Sequence, residues 1–580
     1  MRPLLAAAAA IGLIVASQIS TARGGDASAS QPQPSKETPD VKAEASAFLA
    51  SYQKAYAELD TRANLASWKA ANSGKKDDFA AAAEANLALC RFHSDAAAYQ
   101  RLEALLRHSR ELPPLDARAL QVAELIYRQN QLPADLLEQM VKLSSEIEQT
   151  FKTYRAEVNG KRLTNNDLLE VLRKENDSQR RKHAWEALKQ VGGAVAAKLV
   201  ALAELRNRAA RTLGFDNYWQ MQIRLQEHDP QQLLAIFDEL ERLTREPFAA
   251  MKARMDGELA ARFGVAPEDI MPWHYDNPFF QDAPPSAKVD LDEFYRTKSK
   301  EQIVGIARTF YDGIGLPVEE VLKRSDLYDR EGKDQHAFCT SMDRSGDVRV
   351  LCNVKPTAEW MDTVLHELGH SVYELGVDPR LPYNLRTATH PFTTEGVAMF
   401  FGALSGDPQW MITCAGADKA RVDELAPAIA EQRRREQLIF ARWTMVMLHF
   451  EKALYENPRQ DLNKLWWDYV ERFQMLKRPP GRNEPDWAAK PHFTIAPVYY
   501  HNYMLGELFA AQMRHAIARL EGRSGAAPEL QYAGRRDVGD YFKEKVFRPG
   551  ASLPWPELVR HATGEPLTAR YFAAEVGGNP

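Results

Sequence analysis

The stretch Val364-Leu365-His366-Glu367-Leu368-Gly369-His370, with Glu395 downstream of it, constrains this chain more than any other part. Two histidines four apart on an α-helix lie on one face, about 40° from eclipsed at 3.6 residues per turn, so both imidazoles can reach one metal ion. Glu367 sits about 100° further round, where it can address a water on that ion without binding the ion itself. That is the geometry of a zinc hydrolase. The same string also arises by accident, in roughly a few per cent of chains of this size, as a helix with two structurally hydrogen-bonded histidines. The flanking residues therefore matter. Trp360, Met361, Val364, Leu365, Leu368 and Val372 recur at helical spacing, Pro356-Thr357 is a start signal and Gly376 a stop, which places the motif on a buried amphipathic helix.

Beyond residue 46 there is no internal repeat and no long Pro/Gly/Ser linker, so one large, mostly helical unit is expected from 45 to 580. A net charge of −5 with a pI near 6.3, acids and bases interspersed, argues against nucleic acid as a principal partner. Residues 1–22 read as a secretory signal: Arg2, an apolar run over 4–16, and the small residues Ser20-Thr21-Ala22 as the cleavage site. The run is too short for a comfortable membrane span, so no transmembrane helix is expected in the mature chain. Export to the periplasm or beyond, cleavage after Ala22 and a disordered polar linker over 23–44 follow from this reading. Cysteines occur at 90, 339, 352 and 414. Cys339 and Cys352 bracket a Gly-containing turn and are candidates for a disulfide across a hairpin; four free thiols are the alternative.

Along the chain, helical patterns run through 42–108, on to 158 and through 178–213, followed by 230–263 and an aromatic, proline-rich loop over 272–280. Residues 335–354 turn to strand, a hairpin that either caps the core or offers its edge to an extended peptide. Thr393 opens a second helix running to about 402, with Glu395 in its first turn as either a third metal ligand or an acid answering the helix dipole. Tyr500 and Tyr503, three apart, are either oxyanion donors or part of an aromatic packing cluster.

Taken in order, these motifs resemble the angiotensin-converting-enzyme family of zinc peptidyl-dipeptidases, from about residue 45 nearly to the C-terminus. The resemblance is carried by His336-Ala337, the His366 to His370 helix, Leu385-Arg386, Pro391, Glu395, Leu465-Trp466-Trp467, Lys490-Pro491-His492, Tyr500 with Tyr503, and upstream by residues 208–218. It implies a mainly α, large two-lobed helical zincin-type fold with a deep central cleft and a short β-hairpin beside the zinc helix. The N-terminal helices are a candidate lid. One Zn²⁺ per chain would be held by His366, His370 and Glu395, with Glu367 as general base and Tyr503 and His492 stabilising the transition state. Lys490 and Tyr500 would bind the C-terminal carboxylate of an oligopeptide substrate, and His336 with Ala337 its backbone. Release of C-terminal dipeptides is the activity implied; a thimet-type endo-oligopeptidase and a catalytically silent peptide-binding protein are the alternatives.

Four positions depart from the family pattern. The interval from His370 to Glu395 is one residue longer than in the animal enzymes and equals that of the thimet-oligopeptidase family. Asn502 replaces an Arg that binds an activating chloride, which speaks against chloride activation. Met399 stands where an acid supports a zinc histidine, so that support must come from elsewhere or from water. A third carboxylate-binding residue, a Gln, has no counterpart in 272–275.

Overall fold

The motif helix spans Ala358–Gly376 and starts where the sequence places it, because the Thr357 side chain accepts the Trp360 N–H. Its stripe of Met361, Val364, Leu365, Leu368 and Val372 is at most 3% exposed, which anchors the helix in the main core. The structure is a computed structural model that describes residues 40–577 apart from 159, 285–288, 521 and 523–530. The expected signal peptide and the linker up to residue 39 lie outside the described residues. Helical structure starts at Val41, inside the segment read as linker, because Asp40 accepts the N–H groups of Lys42 and Ala43.

A second helix, Pro391–Gly402, crosses the motif helix closely, and Gly369 sets that distance. A Cβ on Gly369 would stand 2.9 Å from the Ala398 Cα, closer than a real Cβ tolerates against backbone. The same device at Gly396 seats this helix on His501–Leu520, where a Cβ would meet the Gly506 carbonyl at 3.0 Å. His390 caps the helix, accepting the Phe392 N–H, and Pro391 takes the first position. The helix thus begins two residues earlier than the sequence suggested. Glu395 falls in its second turn, beyond the reach of the terminal dipole, which weakens the reading of Glu395 as a dipole-answering acid.

The protein is mainly helical, with two small antiparallel sheets among the described residues. One sheet, Ala156–Val158 with Lys161–Leu163, occupies a place that the sequence offered only as a turn between helices. The other, Phe338–Ser341 with Val348–Leu351, is the expected hairpin and packs beside the motif helix. Its register puts Cys339 opposite Val350 and leaves Cys352 two residues further along. Diagonal partners of that kind are about 7–8 Å apart, outside the Cα range a disulfide spans. All four cysteines are free thiols, so no disulfide closes this hairpin.

The main core is built around Ser178–Thr212, Pro230–Phe263, Lys419–Glu456 and His501–Leu520. Val41–Ser73, Ala96–Leu106 and Pro114–Gln129 enclose a separate, smaller core around Leu102, Leu120 and Tyr127. Arg344, at the hairpin turn with φ 50°, ties that unit to the rest. It donates to Asp60 at 2.9 Å and to the Tyr56 hydroxyl at 2.9 Å, and its guanidinium lies 5.1 Å from the ring centres of Tyr56 and Tyr383. Among the described residues no helix is long and apolar enough to cross a membrane.

Candidate active site

The crossing of the two helices brings His366, His370 and Glu395 together. Glu395 Oε2 lies 3.6 Å from His366 Nε2 and 4.0 Å from His370 Nε2, and the three ligand atoms all fall within 4.8 Å of one another. Bonds of about 2.0–2.2 Å to a shared ion require donor separations of this order. Two imidazoles and one carboxylate form a zinc donor set that keeps a fourth position open. The residues fit the metal.

The surroundings orient the ligands. His370 Nδ1 meets Thr394 Oγ1 at 2.7 Å, which turns Nε2 inward toward Glu395. Thr394 thus supplies the support that Met399 cannot give. Glu367 is 3% exposed, and its carboxylate accepts the Cys339 N–H, so the hairpin strand holds it beside the ligands. Burial, then the Glu395 charge, pushes the Glu367 carboxyl up to about 8, and burial pushes Glu395 up to about 7. Burial draws His370 down to about 4, keeping its imidazole neutral and able to act as a ligand.

Four further predicted residues, Lys490, His492, Tyr500 and Tyr503, come from one segment, 490–503, and the three rings among them meet. His492 lies 5.0 Å from Tyr500, and Tyr500 lies 5.4 Å from Tyr503. His492 Nδ1 is buried without a hydrogen-bond partner. Tyr503 is buried within electrostatic reach of Glu395, and burial raises its phenol well above the usual range.

Lys490 is 5% exposed and donates to Gln281 Oε1 at 2.6 Å among the rings of Phe279, Trp443 and Tyr500. Burial lowers its pKa to about 7, offset in part by Asp282. The Tyr500 hydroxyl accepts the Trp443 Nε1–H at 2.7 Å, leaving its own proton to donate. Gln281 lies just beyond the stretch 272–275 that holds no Gln, and it follows Phe280, whose φ of 49° turns the chain there. His336 stands apart, 62% exposed, with its ring 3.3 Å from Asp334, which raises its pKa. Ala337 is 2% exposed and leads into the strand Phe338–Ser341, whose outer edge pairs with no strand among the described residues.

Little local structure holds 490–503, which contains only the short helix His492–Ile495 before His501. It is fixed from outside. Arg206, on Ser178–Thr212, donates to the carbonyls of Phe493 at 2.6 Å and Thr494 at 2.9 Å. Glu451 accepts the Val498 N–H at 2.8 Å, and Gln226 donates to the Val498 carbonyl at 3.0 Å. Val498 thereby keeps φ 54°, unfavourable for a β-branched residue unless its surroundings over-determine it. Asn502 donates to Gln226 Oε1 at 2.9 Å and places Oδ1 3.4 Å from His228 Nε2.

A family model described as angiotensin-converting enzyme matches residues 39–570. Among known proteins, the chain is similar to an angiotensin-converting enzyme of Theromyzon tessulatum, 20% identical over 442 residues that cover 70% of each chain. It is similar to that of Haematobia irritans exigua, 20% identical over 481 residues, 75% of this chain and 76% of that one. Carboxypeptidase 1 of Bacillus subtilis (strain 168) is 24% identical over 262 residues, 41% of this chain and 51% of that protein.

Proposed function

Because the chain belongs to the angiotensin-converting enzyme family of peptidases, we propose that it is a zinc-dependent peptidyl-dipeptidase that removes C-terminal dipeptides from oligopeptides. The observation that carries this is the meeting of Lys490 and Tyr500, with Gln281 brought to Lys490 from far upstream, on the segment that also carries His492 and Tyr503. A cation, an amide and a phenol together suit a free carboxylate. Zinc held by His366, His370 and Glu395 would supply an acidified water and a polarised carbonyl.

Glu367 takes the proton of the attacking water, which its buried setting favours, and passes it to the leaving amine. Tyr503 and His492 donate to the oxygen that becomes anionic. The outer edge of Phe338–Ser341, which pairs with no strand among the described residues, accepts the extended peptide backbone with His336 and Ala337 before it. Asn502 brings no cation to its site, and burial draws its neighbour His228 down to about 4, so chloride activation is not expected.

The long His370 to Glu395 interval favours the endo-oligopeptidase as second reading, and one experiment separates the two. Zinc analysis is combined with hydrolysis of an N-blocked tripeptide and its C-terminal amide, with and without chelator. Cleavage of the free acid alone, lost with chelator, is expected. Equal cleavage of the amide makes the enzyme an endopeptidase; no zinc and no cleavage leave a peptide-binding protein. Glu367→Gln should keep zinc and lose turnover by roughly 10²- to 10⁴-fold. A variant of wild-type activity would remove Glu367 from the mechanism.

A further inference from the structure

In the run Val498-Tyr499-Tyr500 and its continuation to Tyr503, the mechanism above uses Tyr500 and Tyr503 but leaves Tyr499 unused. The Tyr499 hydroxyl is closed off from solvent and has no hydrogen-bond partner among the described residues. Three buried tyrosines of this protein avoid that cost: Tyr311 donates to the Leu365 carbonyl at 2.6 Å, Tyr295 to that of Ser405 at 2.6 Å, and Tyr541 to that of Ala562 at 3.0 Å. The place of the Tyr499 hydroxyl is informative. The Tyr499 ring packs edge-on against Tyr503, centroids 5.3 Å apart and planes at 76°, and the carboxylate whose charge reaches it is that of Glu395. The turn at Val498, pinned by Glu451 and Gln226, sends the two adjacent tyrosines into different surroundings. Tyr500 goes to Trp443 and the carboxylate cradle, and Tyr499 to Tyr503 beside the metal ligands.

We propose that Tyr499 is a further catalytic residue, whose O–H donates to the scissile carbonyl oxygen as that oxygen becomes anionic, alongside Tyr503 and His492. The inference rests on the peptidase reading above. A donor left unpaired in the resting protein and fixed by a turn held from outside has no partner to give up when charge develops. The resting fold bears the cost of an unsatisfied hydroxyl so that the donor stands ready, a trade of stability against activity.

Tyr499→Phe tests this because it keeps the ring on Tyr503 and removes only the hydroxyl. With zinc content equal to wild type, kcat should fall on the order of 10- to 100-fold while KM stays nearly unchanged. The metal-free variant should melt at the wild-type temperature or above it, since an unsatisfied buried donor is gone. A kcat equal to wild type overturns the proposal. So does a lower melting temperature of the metal-free variant, which would mean that the hydroxyl is bonded within the fold. Wild-type protein measured in parallel keeps two failures apart: a zinc-loaded wild type that cuts no peptide removes the peptidase reading, whereas an unchanged variant in an active background removes only the role of Tyr499.

Discussion

At the scale of residues, the structure brings together the three side chains that the sequence offered as metal ligands. His366, His370 and Glu367 were legible because helical spacing alone fixes their relative directions. Glu395 needed the resemblance, since a carboxylate near a helix start has two readings. Thr394 was not legible: a threonine beside a ligand looks like any other until the crossing angle of two helices puts it against an imidazole. Its role predicts that Thr394→Val weakens zinc affinity about 10- to 100-fold, with activity restored by excess zinc, as a metal titration would show. An unchanged affinity would make the 2.7 Å contact incidental.

Lys490 carries a pH consequence. Burial lowers its pKa from the ordinary 10.5 to about 7, so in the empty enzyme the cation is fully present only below that value. For a substrate with a free carboxylate, kcat/KM should fall as pH rises through about 7, as a pH–rate profile would check. In the fold itself the sign is unfavourable: the penalty for burying the ammonium accrues as pH falls from about 10.5 to about 7 and is complete below it.

At the scale of elements, the segment 490–503 shows what pattern reading misses. Periodicity identifies helices, but this segment takes its shape from Arg206, Gln226 and Glu451, each far away in sequence. Nothing in a local window announces such partners. Arg206→Met should leave two buried carbonyls unpaired, costing about 1–3 kcal/mol each, and move His492 enough to lower kcat/KM by roughly 10²-fold while zinc content holds. Arg206→Lys should recover only part of this, because one ammonium cannot reproduce the fork that serves both carbonyls. Thermal unfolding read beside kinetics would check both variants. The hairpin teaches a related lesson: its existence was readable from strand propensity, but its register was not, and the register is what keeps Cys339 and Cys352 apart.

At the scale of the whole molecule, the two cores divide the labour. The helices that bear the candidate ligands and Tyr503 pack in the larger core, and the smaller one bears on the hairpin turn through Arg344 and Asp60. The single-unit reading followed from the lack of repeats and linkers, whereas this subdivision is a tertiary outcome that composition does not encode. A metal bound only by the folded state should stabilise the protein by about 4 kcal/mol at a thousandfold excess over its dissociation constant. Chelator should therefore lower the melting temperature and zinc restore it; a melting temperature indifferent to both would mean that the three ligands hold no ion.

The candidate metal ligands all lie between residues 366 and 395, while Tyr503 must return from much further along the chain. Loop-closure entropy makes joining 366 to 395 cheaper than joining 366 to 503 by roughly 1.4 kcal/mol, about a tenfold difference in ring-closing probability. Order of assembly follows from that difference. An ion held by these residues would be captured by two crossing helices early in folding, and Tyr503 would then be brought to a centre already in place.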